Sequence, residues 1–528
     1  MPPADEGRDA PSRPAGGARS LLGAASLVML FFVLSRVTGV ARDIAIAGAF
    51  NLSPTLDAYQ AAFRVPDLIF EVVAGGALGS AFIPTFSRLS HRRGAAVAWR
   101  LFSQTVNAVT LVLAVLALAG IAMAPWLMRH VLAPGFEPAQ QDLAAELMRW
   151  LLLGTVVYGV SGLCMGALNT RRHFLLPAAA PALRNVAIWG AALWLAEPFG
   201  VRGLVVGAVA GSLLHLLIQL PALREHGLRY SWTLDWRDAD LFHILKLMGP
   251  RMVGLLFIHL NLIVNTNLVS RLAPGSVSAF DYGFRLMLIP VSVFAQALSI
   301  VAFPSFAAQA DRGRLDDMAA SFRTMLRLVV WLAVPATVGM YLLRVPLIEL
   351  LFERGSFDAD STQRVARALQ YFLPGLTAYA AVEITVRAFY ALHDTRRPML
   401  AGVTIVLINI GLSLWWVGPL GYAGPALAAS VATTVEILLL LWWLRAHLPR
   451  LAPGQLAWDS VRTAVAAAAM GGAVWLVLAG IGSGTGPWAE AAWIQLLLGI
   501  AAGGTAYFLF SSVVGNVRWL AGMRRASI

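Results

Sequence analysis

The stretch LLGAASLVMLFFVLSRVTGVARDIAIAGAF, residues 21–50, is long and apolar enough to cross a bilayer, for which about 20 residues suffice. Charges nevertheless sit inside it: Arg36 near the middle, then Arg42 and Asp43. An arginine at mid-membrane costs ~2.5–3.5 kcal/mol even on the mildest scales, so such residues face a bundle interior or a watery cavity. This segment therefore points to a bundle that carries positive charge into the membrane to hold something anionic.

The remainder of the chain supports a bundle. Of 528 residues, 58% are hydrophobic and only 13% charged, and the mean hydropathy is strongly positive. That composition excludes a soluble enzyme and indicates an all-α polytopic membrane protein. Fourteen hydrophobic segments can be drawn, near 21–50, 55–87, 100–124, 146–169, 174–196, 202–223, 248–272, 277–307, 324–344, 364–392, 398–417, 422–446, 460–482 and 490–514. No small-residue cleavage site follows the first, which reads as a retained helix. The net charge of +12 belongs to the loops and implies no nucleic-acid partner. One alternate set of loops is basic (Arg88, Arg92 and Arg93; Arg171 and Arg172; Arg224 to Lys246; Arg312 and Arg314; Arg396 and Arg397; Arg445 and Arg450). The other is short or acidic (NLSPT at 51–55, Glu137, Glu197, Glu349, Asp358, Glu490). The positive-inside rule then places both termini in the cytoplasm, in agreement with an even count. The single cysteine, Cys164, excludes a disulfide framework and a cysteine metal cluster. HExxH, GxSxG and P-loop patterns are missing, so no enzyme, metal or cofactor is expected; membrane potential or a coupling ion is left as the driving force.

An internal repeat is offset by about 220 residues, or six segments. ALGSAFIPTF (77–86) resembles ALSIVAFPSF (297–306), ALNTRR (167–172) resembles ALHDTRR (391–397), and FGVRG (199–203) resembles LGYAG (420–424); Asn185 and Asn409 follow at matching places. Because six is even, the two copies enter the membrane in the same direction, as two parallel six-helix lobes around a central cavity, with two further helices outside the repeat. The expected division is a disordered cytoplasmic tail (1–20), an N-terminal lobe (21–226), a C-terminal lobe (227–448), and segments 13–14 with a tail (449–528). WLMRHVLAPGF and VPLIELLFERGSF, after segments 3 and 9, read as matching interfacial half-helices. The long linker from Glu225 to Leu247 reads as amphipathic.

The intramembrane charges concentrate on three segments. Segment 2 carries Asp57, Arg64 and Glu71 at spacings of seven, on one stripe of a helix, with Pro66 expected to break it. Segment 1 carries Ser35, Arg36, Arg42 and Asp43, with Gly39 as an expected bend. Segment 8 carries Asp281 and Arg285, the latter at the repeat position of Arg64. One reading pairs Arg64 with Asp57 or Glu71 and Arg285 with Asp281 as plain bracing. The other lets Arg36, Arg42, Arg64 and Arg285 converge on a low-dielectric cavity, where guanidinium groups bind phosphate bidentately. Glu383 and Arg387 are expected to pair locally; His215, His259 and Glu436 stand alone in sequence; Asn261 and Asn265 can bond across helices.

SRVTGVARDIAIAGAF (35–50), DAYQAAFRVPDLIFEVVAGGALGSAFIPTFS (57–87), VLAPGF (131–136), GALNTRRHFLLPAAAP (166–181), GSVSAFDYGFRL (275–286), RGSFD (354–358) and RAFYALHDTRRP (387–398) together resemble the MurJ (MviN) lipid II flippases, of the multidrug/oligosaccharidyl-lipid/polysaccharide exporter superfamily. The resemblance implies two six-helix lobes in a V, two extra helices forming a groove for a lipid tail, and residence in the bacterial inner membrane. It implies alternating access that moves an undecaprenyl-diphosphate-linked peptidoglycan precursor from inner to outer leaflet, beside membrane lipids and cell-wall synthesis proteins. Carried over residue by residue, Ser35, Arg36, Arg42, Asp43, Asp57 and Arg285 are expected to shape or charge the headgroup cavity, with Gly39 and Asp281 alongside. This chain departs where many members have a basic pair on segment 2 (here Phe70 and Glu71) and acidic residues flanking the segment-8 arginine (here Phe284 and Leu288). Either Arg64 substitutes or the cargo is a different polyprenyl-diphosphate-linked glycan. A drug or cation antiporter of the same superfamily would favour an acidic cavity, and a non-transporting membrane scaffold would not need the cavity charges.

Overall fold

In hydrocarbon, backbone N–H and C=O groups have only each other to bond with, so a chain this apolar is driven into helices. The computed structural model describes residues 16–75, 82–171, 173–482 and 491–515, and among these there is no strand. The first half comprises α1 (Gly16–Phe50), α2 (Pro54–Ala62), α3 (Arg64–Ile69), a π-helical turn (Phe70–Gly75), α4 (Ile83–Arg92), α5 (Ala95–Leu127), α6 (Pro138–Thr170), α7 (Leu175–Trp194), α8 (Ala196–Phe199), α9 (Val201–Leu217) and α10 (Leu220–Glu225). There follow α11 (Ala239–Ser270), α12 (Ser276–Pro290), another π-helical turn (Val291–Gln296), α13 (Ala297–Asp311), α14 (Leu315–Phe352), α15 (Ala359–Ala391), α16 (Arg396–Leu420), α17 (Ala423–His447), α18 (Pro453–Gly482) and α19 (Ala492–Val513).

Among the described residues nine helices are long and apolar enough to cross a membrane. The other five sequence segments fall on α1, α2–α4, α7, α11 and α15. Segment 2 is the most broken: α2 stops at Phe63, Pro66 falls in the next turn, and a π-helical turn follows.

The packing repeats as the sequence does. Within the first half α1 packs on α7, α7 on α9, α6 on α9, α5 on α6 and α2 on α6; within the second, α11 packs on α16, α16 on α17, α15 on α17, α14 on α15 and α12 on α15. Local geometry repeats too. Gly200 and Gly421 both take positive φ (57° and 62°), and a Cβ on Gly203 or Gly424 would lie 2.4 Å from the carbonyl oxygen of Leu195 or Trp416 respectively. Asn185 donates to Ser35 O on α1 at 3.0 Å, and its counterpart Asn409 lies 3.5 Å from Asn265 on α11. Asn265 also donates to Asn261 (2.7 Å) and accepts from Ser413 (3.2 Å), the cross-helix amide bonding expected of that face. Helices α18 and α19 stand outside the repeat and pack on α14, where Trp331 donates to Ser511 and Tyr507 donates to the Trp331 carbonyl.

Three expectations need correction. The two interfacial half-helices are continuations instead: α5 passes through Leu127 into a π-helical turn (Met128–Leu132), and α14 runs unbroken to Phe352 through Pro346. Apolar side chains at both sites keep the helix profitable to extend beyond the core. Helix α1 begins at Gly16, so the last five residues of the expected disordered tail are helical, while 1–15 lie outside the described residues. The helix also runs continuously through Gly39, whose missing side chain leaves room for Asn185 Nδ2, 3.4 Å from where a Cβ would be. Residues 77–81 of the first repeat motif, Arg172, Glu490 and the tail from 516 lie outside the described residues.

Where helices approach most closely, small residues line the contact. A Cβ on Gly375 of α15 would meet Ser430 Cα of α17 at 2.7 Å, and Ser430 Oγ is anchored to the Tyr371 and Phe372 carbonyls. Gly375→Ile is expected to cost about 1–3 kcal/mol through overpacking, read as a lowered Tm of the detergent-solubilised protein.

Candidate functional site

The charges of segments 1, 2 and 8 meet at the seam between the two halves. Asp43 on α1 is the centre. Its Oδ1 accepts from Arg42 Nε (3.0 Å) and Nη2 (2.8 Å), and from Arg285 Nη1 on α12 at 3.1 Å. Arg42 Nη1 donates to Asn185 Oδ1 at 3.0 Å, and Arg285 Nη2 donates to Gln60 Oε1 on α2 at 2.9 Å. One carboxylate thus holds two guanidinium groups, one from each half. Arg36, two turns along α1 and exposed, donates to Gln296 Oε1 across the seam at 3.4 Å. Ser35 takes part through its backbone carbonyl.

Arg64 and Asp57 do not join that cluster. Arg64 donates from Nη2 to both Asp281 oxygens (2.6 and 2.8 Å) and from Nε to Thr266 Oγ1 (2.7 Å), forming a largely buried ion pair between α3 and α12. Asp57, 1% exposed, reaches from α2 to the start of α12: Oδ2 accepts from Gly275 N (2.6 Å), and Oδ1 accepts from Ser278 N (2.8 Å) and Ser278 Oγ (2.6 Å). It is an N-cap supplied by another helix, satisfying amides that α12 cannot satisfy itself. The pairings expected within segments, Arg64 with Asp57 or Glu71 and Arg285 with Asp281, are replaced by pairings between halves. Both oxygens of Asp57, a residue expected at the headgroup cavity, are spent on this cap. Spacing along one helix sets only which side chains share a face, and here that face looks at the other half.

Further bonds close the same end of the seam, near the NLSPT loop. Ser356 donates from N and Oγ to Gly48 O, both at 2.8 Å, and Ser361 Oγ donates to Asn51 Oδ1. Asn267 Nδ2 donates to Val131 O at 2.7 Å, and Gly135 lies against the backbone of Arg271. The VLAPGF loop of the first half therefore rests on the end of α11, and the RGSFD loop of the second half rests on the end of α1.

Two further members lie nearby, of which sequence reasoning missed Asp67. Arg184 on α7 lies over the Tyr158 ring (4.6 Å to the centroid) with its Nε buried and without a hydrogen-bond partner. It lines a small cavity with Phe63, Asp67, Phe70, Tyr158 and Ser212. Phe70 stacks on the same tyrosine at 4.2 Å. Asp67, one turn after Arg64 on the broken helix, was hidden beside the more regular seven-residue pattern. Glu71 Oε2 accepts from His259 Nε2 of α11 at 3.1 Å, so that histidine does not stand alone. His215 is satisfied by Ser161 (2.6 Å), and Glu383 pairs with Arg387 at 3.7 Å, both structural.

A second feature lies outside the cluster. Between α14, α15 and α18 is an apolar cavity of about 440 Å³ lined by Tyr341, Leu342, Pro374, Gly471, Gly472 and Trp475, among others. Its walls can hold hydrocarbon and offer almost nothing to a polar ligand.

Residues 46–490 match the family described as Lipid II flippase MurJ. The chain is 32% identical over 423 residues to the lipid II flippase MurJ of Burkholderia cenocepacia, covering 79% of this chain and 82% of that one. It is 28% identical over 503 residues to a probable lipid II flippase MurJ of Rhizobium tropici, covering 92% of each. The fold superposes on a lipid II flippase MurJ in an inward closed conformation with TM-score 0.79 at 24% identity, over 94% of this chain and 99% of that one. It superposes on an inward-facing multidrug MATE transporter of the MOP superfamily with TM-score 0.66 at 16% identity, over 81% and 98%. In sequence and in fold, the chain belongs to the lipid II flippase MurJ family.

Proposed function

We propose that this protein carries lipid II, an undecaprenyl-diphosphate-linked peptidoglycan precursor, from the inner to the outer leaflet of a bacterial plasma membrane by alternating access. The observation that carries the reading is the single Asp43 oxygen shared by Arg42 and Arg285. A carboxylate bridging two cations across a seam stands where a diphosphate can take over, because phosphate oxygens offer the same bidentate acceptor geometry with more charge. Arg36 flanks that position. The apolar cavity beside α18 suits the polyprenyl chain, whose hydrocarbon needs no polar partner.

In this reading Arg64–Asp281 and the Asp57 cap are a latch rather than headgroup ligands. They fasten α2 and α3 to α12 at the NLSPT end, which the basic loops at the opposite end assign to the outside. The protein is then closed outward, with both termini cytoplasmic. Moving a switch from 1:99 to 99:1 takes about 5.5 kcal/mol of differential binding, which a diphosphate drawing two arginines off Asp43 can supply. Membrane potential adds about 2.3 kcal/mol per charge moved through 100 mV. A different polyprenyl-diphosphate glycan is favoured by one observation: segment 2 presents Glu71 with His259 where a basic pair is common in the family. A cation antiporter fits poorly with arginines gathered at the seam.

Arg42→Ala and Arg285→Ala should each lower lipid II translocation in proteoliposomes about ten- to a hundredfold, since each loses charged hydrogen bonds worth about 1.5–3 kcal/mol; unchanged rates in both would overturn the headgroup assignment. Arg64→Gln leaves Asp281 buried and unpaired and should cost about 3–5 kcal/mol, while Arg64→Gln with Asp281→Asn should recover most of it, compared by thermal unfolding. Gly472 has open space where a Cβ would go, so Gly472→Leu should fill the apolar cavity and slow translocation without lowering Tm.

A further inference from the structure

The connector between the two halves runs into the membrane rather than away from it. Three residues of α5 spaced by four, Trp99, Ser103 and Asn107, form one stripe that grips it. Trp99 Nε1 donates to His226 O (3.2 Å), Ser103 Oγ accepts from Ser231 N (3.2 Å), and Asn107 Nδ2 donates to the carbonyls of Ser231 (3.1 Å) and Thr233 (2.9 Å). Tyr230 OH closes the grip by donating to Asn107 Oδ1. Eight residues of helix carry the connector about 12 Å along α5. Beyond Asn107 the same stripe continues as Leu111, Val115 and Leu118, which are 46%, 56% and 64% exposed. The connector covers the stripe up to Asn107, and hydrocarbon covers it afterwards. Residues 230–233 therefore sit at the border of the apolar core.

At that border Trp232 projects outward, 89% exposed, between the two carbonyls that Asn107 holds; Trp236 and Phe242 are exposed beside it. Arg229 and Arg237 are exposed on the same segment. The acids among them are engaged locally: Asp235 accepts from Arg237 N, and Asp238 accepts from Asp240 N and Leu241 N to cap α11. Tryptophan and tyrosine are favoured at the level of lipid headgroups, where ring and polar edge find different surroundings, and arginine reaches phosphate from there.

We propose that this connector, residues 228–242, is a docking surface for the phospholipid headgroup layer of the leaflet at the basic end of the protein, with Trp232 and Trp236 at glycerol depth and Arg229 and Arg237 on lipid phosphates. The link between the two halves is then pinned in the membrane plane, so the halves swing about a connector that does not leave the surface.

The buried Cys164 leaves an introduced thiol as the accessible one for labelling. Full-length Thr233→Cys, carrying a nitrobenzoxadiazole probe in nanodiscs of phosphatidylethanolamine and phosphatidylglycerol, is compared with Arg312→Cys, an exposed position on another loop of the same end. A headgroup-attached nitroxide lipid should quench the Thr233→Cys probe strongly and iodide weakly, with the reverse at Arg312→Cys. Adding Trp232→Ser and Trp236→Ser should abolish the lipid quenching. Iodide quenching at Thr233→Cys equal to that at Arg312→Cys, or lipid quenching that survives both tryptophan substitutions, would overturn the proposal. Neither readout depends on what the protein transports.

Discussion

A guanidinium group in a low-dielectric interior must be matched by an acceptor, because an uncompensated charge there costs several kcal/mol. In this protein the acceptors for the seam arginines come largely from the other half of the molecule. Arg64 finds Asp281, and Arg285 finds Asp43 and Gln60. The need to neutralise charge and the need to hold two bundles together are therefore met by the same bonds. Bonds of this kind also come apart in a discrete way. An ion pair that straddles two rigid bodies is either made or lost, whereas one within a helix would persist through any rocking motion. Placement across the seam makes ordinary charge compensation serve also as the bond between the two halves.

The repeat explains why the two halves meet through matching contacts. Each half lends its Gly-Phe loop to the first helix of the other: VLAPGF to the end of α11, RGSFD to the end of α1. Glycine is needed at both contacts because backbone meets backbone there. A Cβ on Gly135 would fall 2.3 Å from Arg271 Cα, and Gly355, at φ +63°, would place one 2.4 Å from Gly48 O. Gly275, at φ +82°, is similarly confined by Leu52 O and receives the Asp57 cap through its amide. At the end of the same RGSFD loop, Asp358 accepts from Ser361 N to cap α15, a bond that holds its carboxyl below the usual carboxylate range, and from Asn51 Nδ2 across the seam at 3.4 Å.

Fold class and repeat were legible because both are carried by pattern: hydropathy run lengths, alternate loop charge, and motifs in the same order twice. Asn185 and Asn409 were marked only by matching position, and each turned out to bond the first helix of its own half. Partner choice was not legible. A spacing of seven put Asp57, Arg64 and Glu71 on one stripe, and that stripe does face the seam, but spacing says nothing about what stands opposite. Asp57 met a helix start, Arg64 an aspartate on α12, and Glu71 a histidine on α11. Continuations of α5 and α14 were misread for a related reason: proline and glycine signal a stop locally, while side-chain packing past the core can carry a helix through.

The departures at Phe70 and Glu71 show how a cavity's charge is set by elements far apart in sequence. An aromatic ring at position 70 removes a cation from segment 2, yet it stacks on Tyr158, the ring that also carries Arg184 from α7. Positive charge is thereby supplied to the same neighbourhood from another helix, held by a ring face instead of a carboxylate. A cation so held keeps hydrogen-bonding capacity unspent, as the unpartnered Nε of Arg184 records. On the other side, Asp67 of α3 and Glu71 of the π-helical turn after it add negative charge. The wall is consequently mixed in sign where a basic pair would make it uniformly positive. A headgroup bearing only phosphate gains nothing from a wall of mixed sign, whereas one that carries anionic and cationic groups some distance apart can satisfy both.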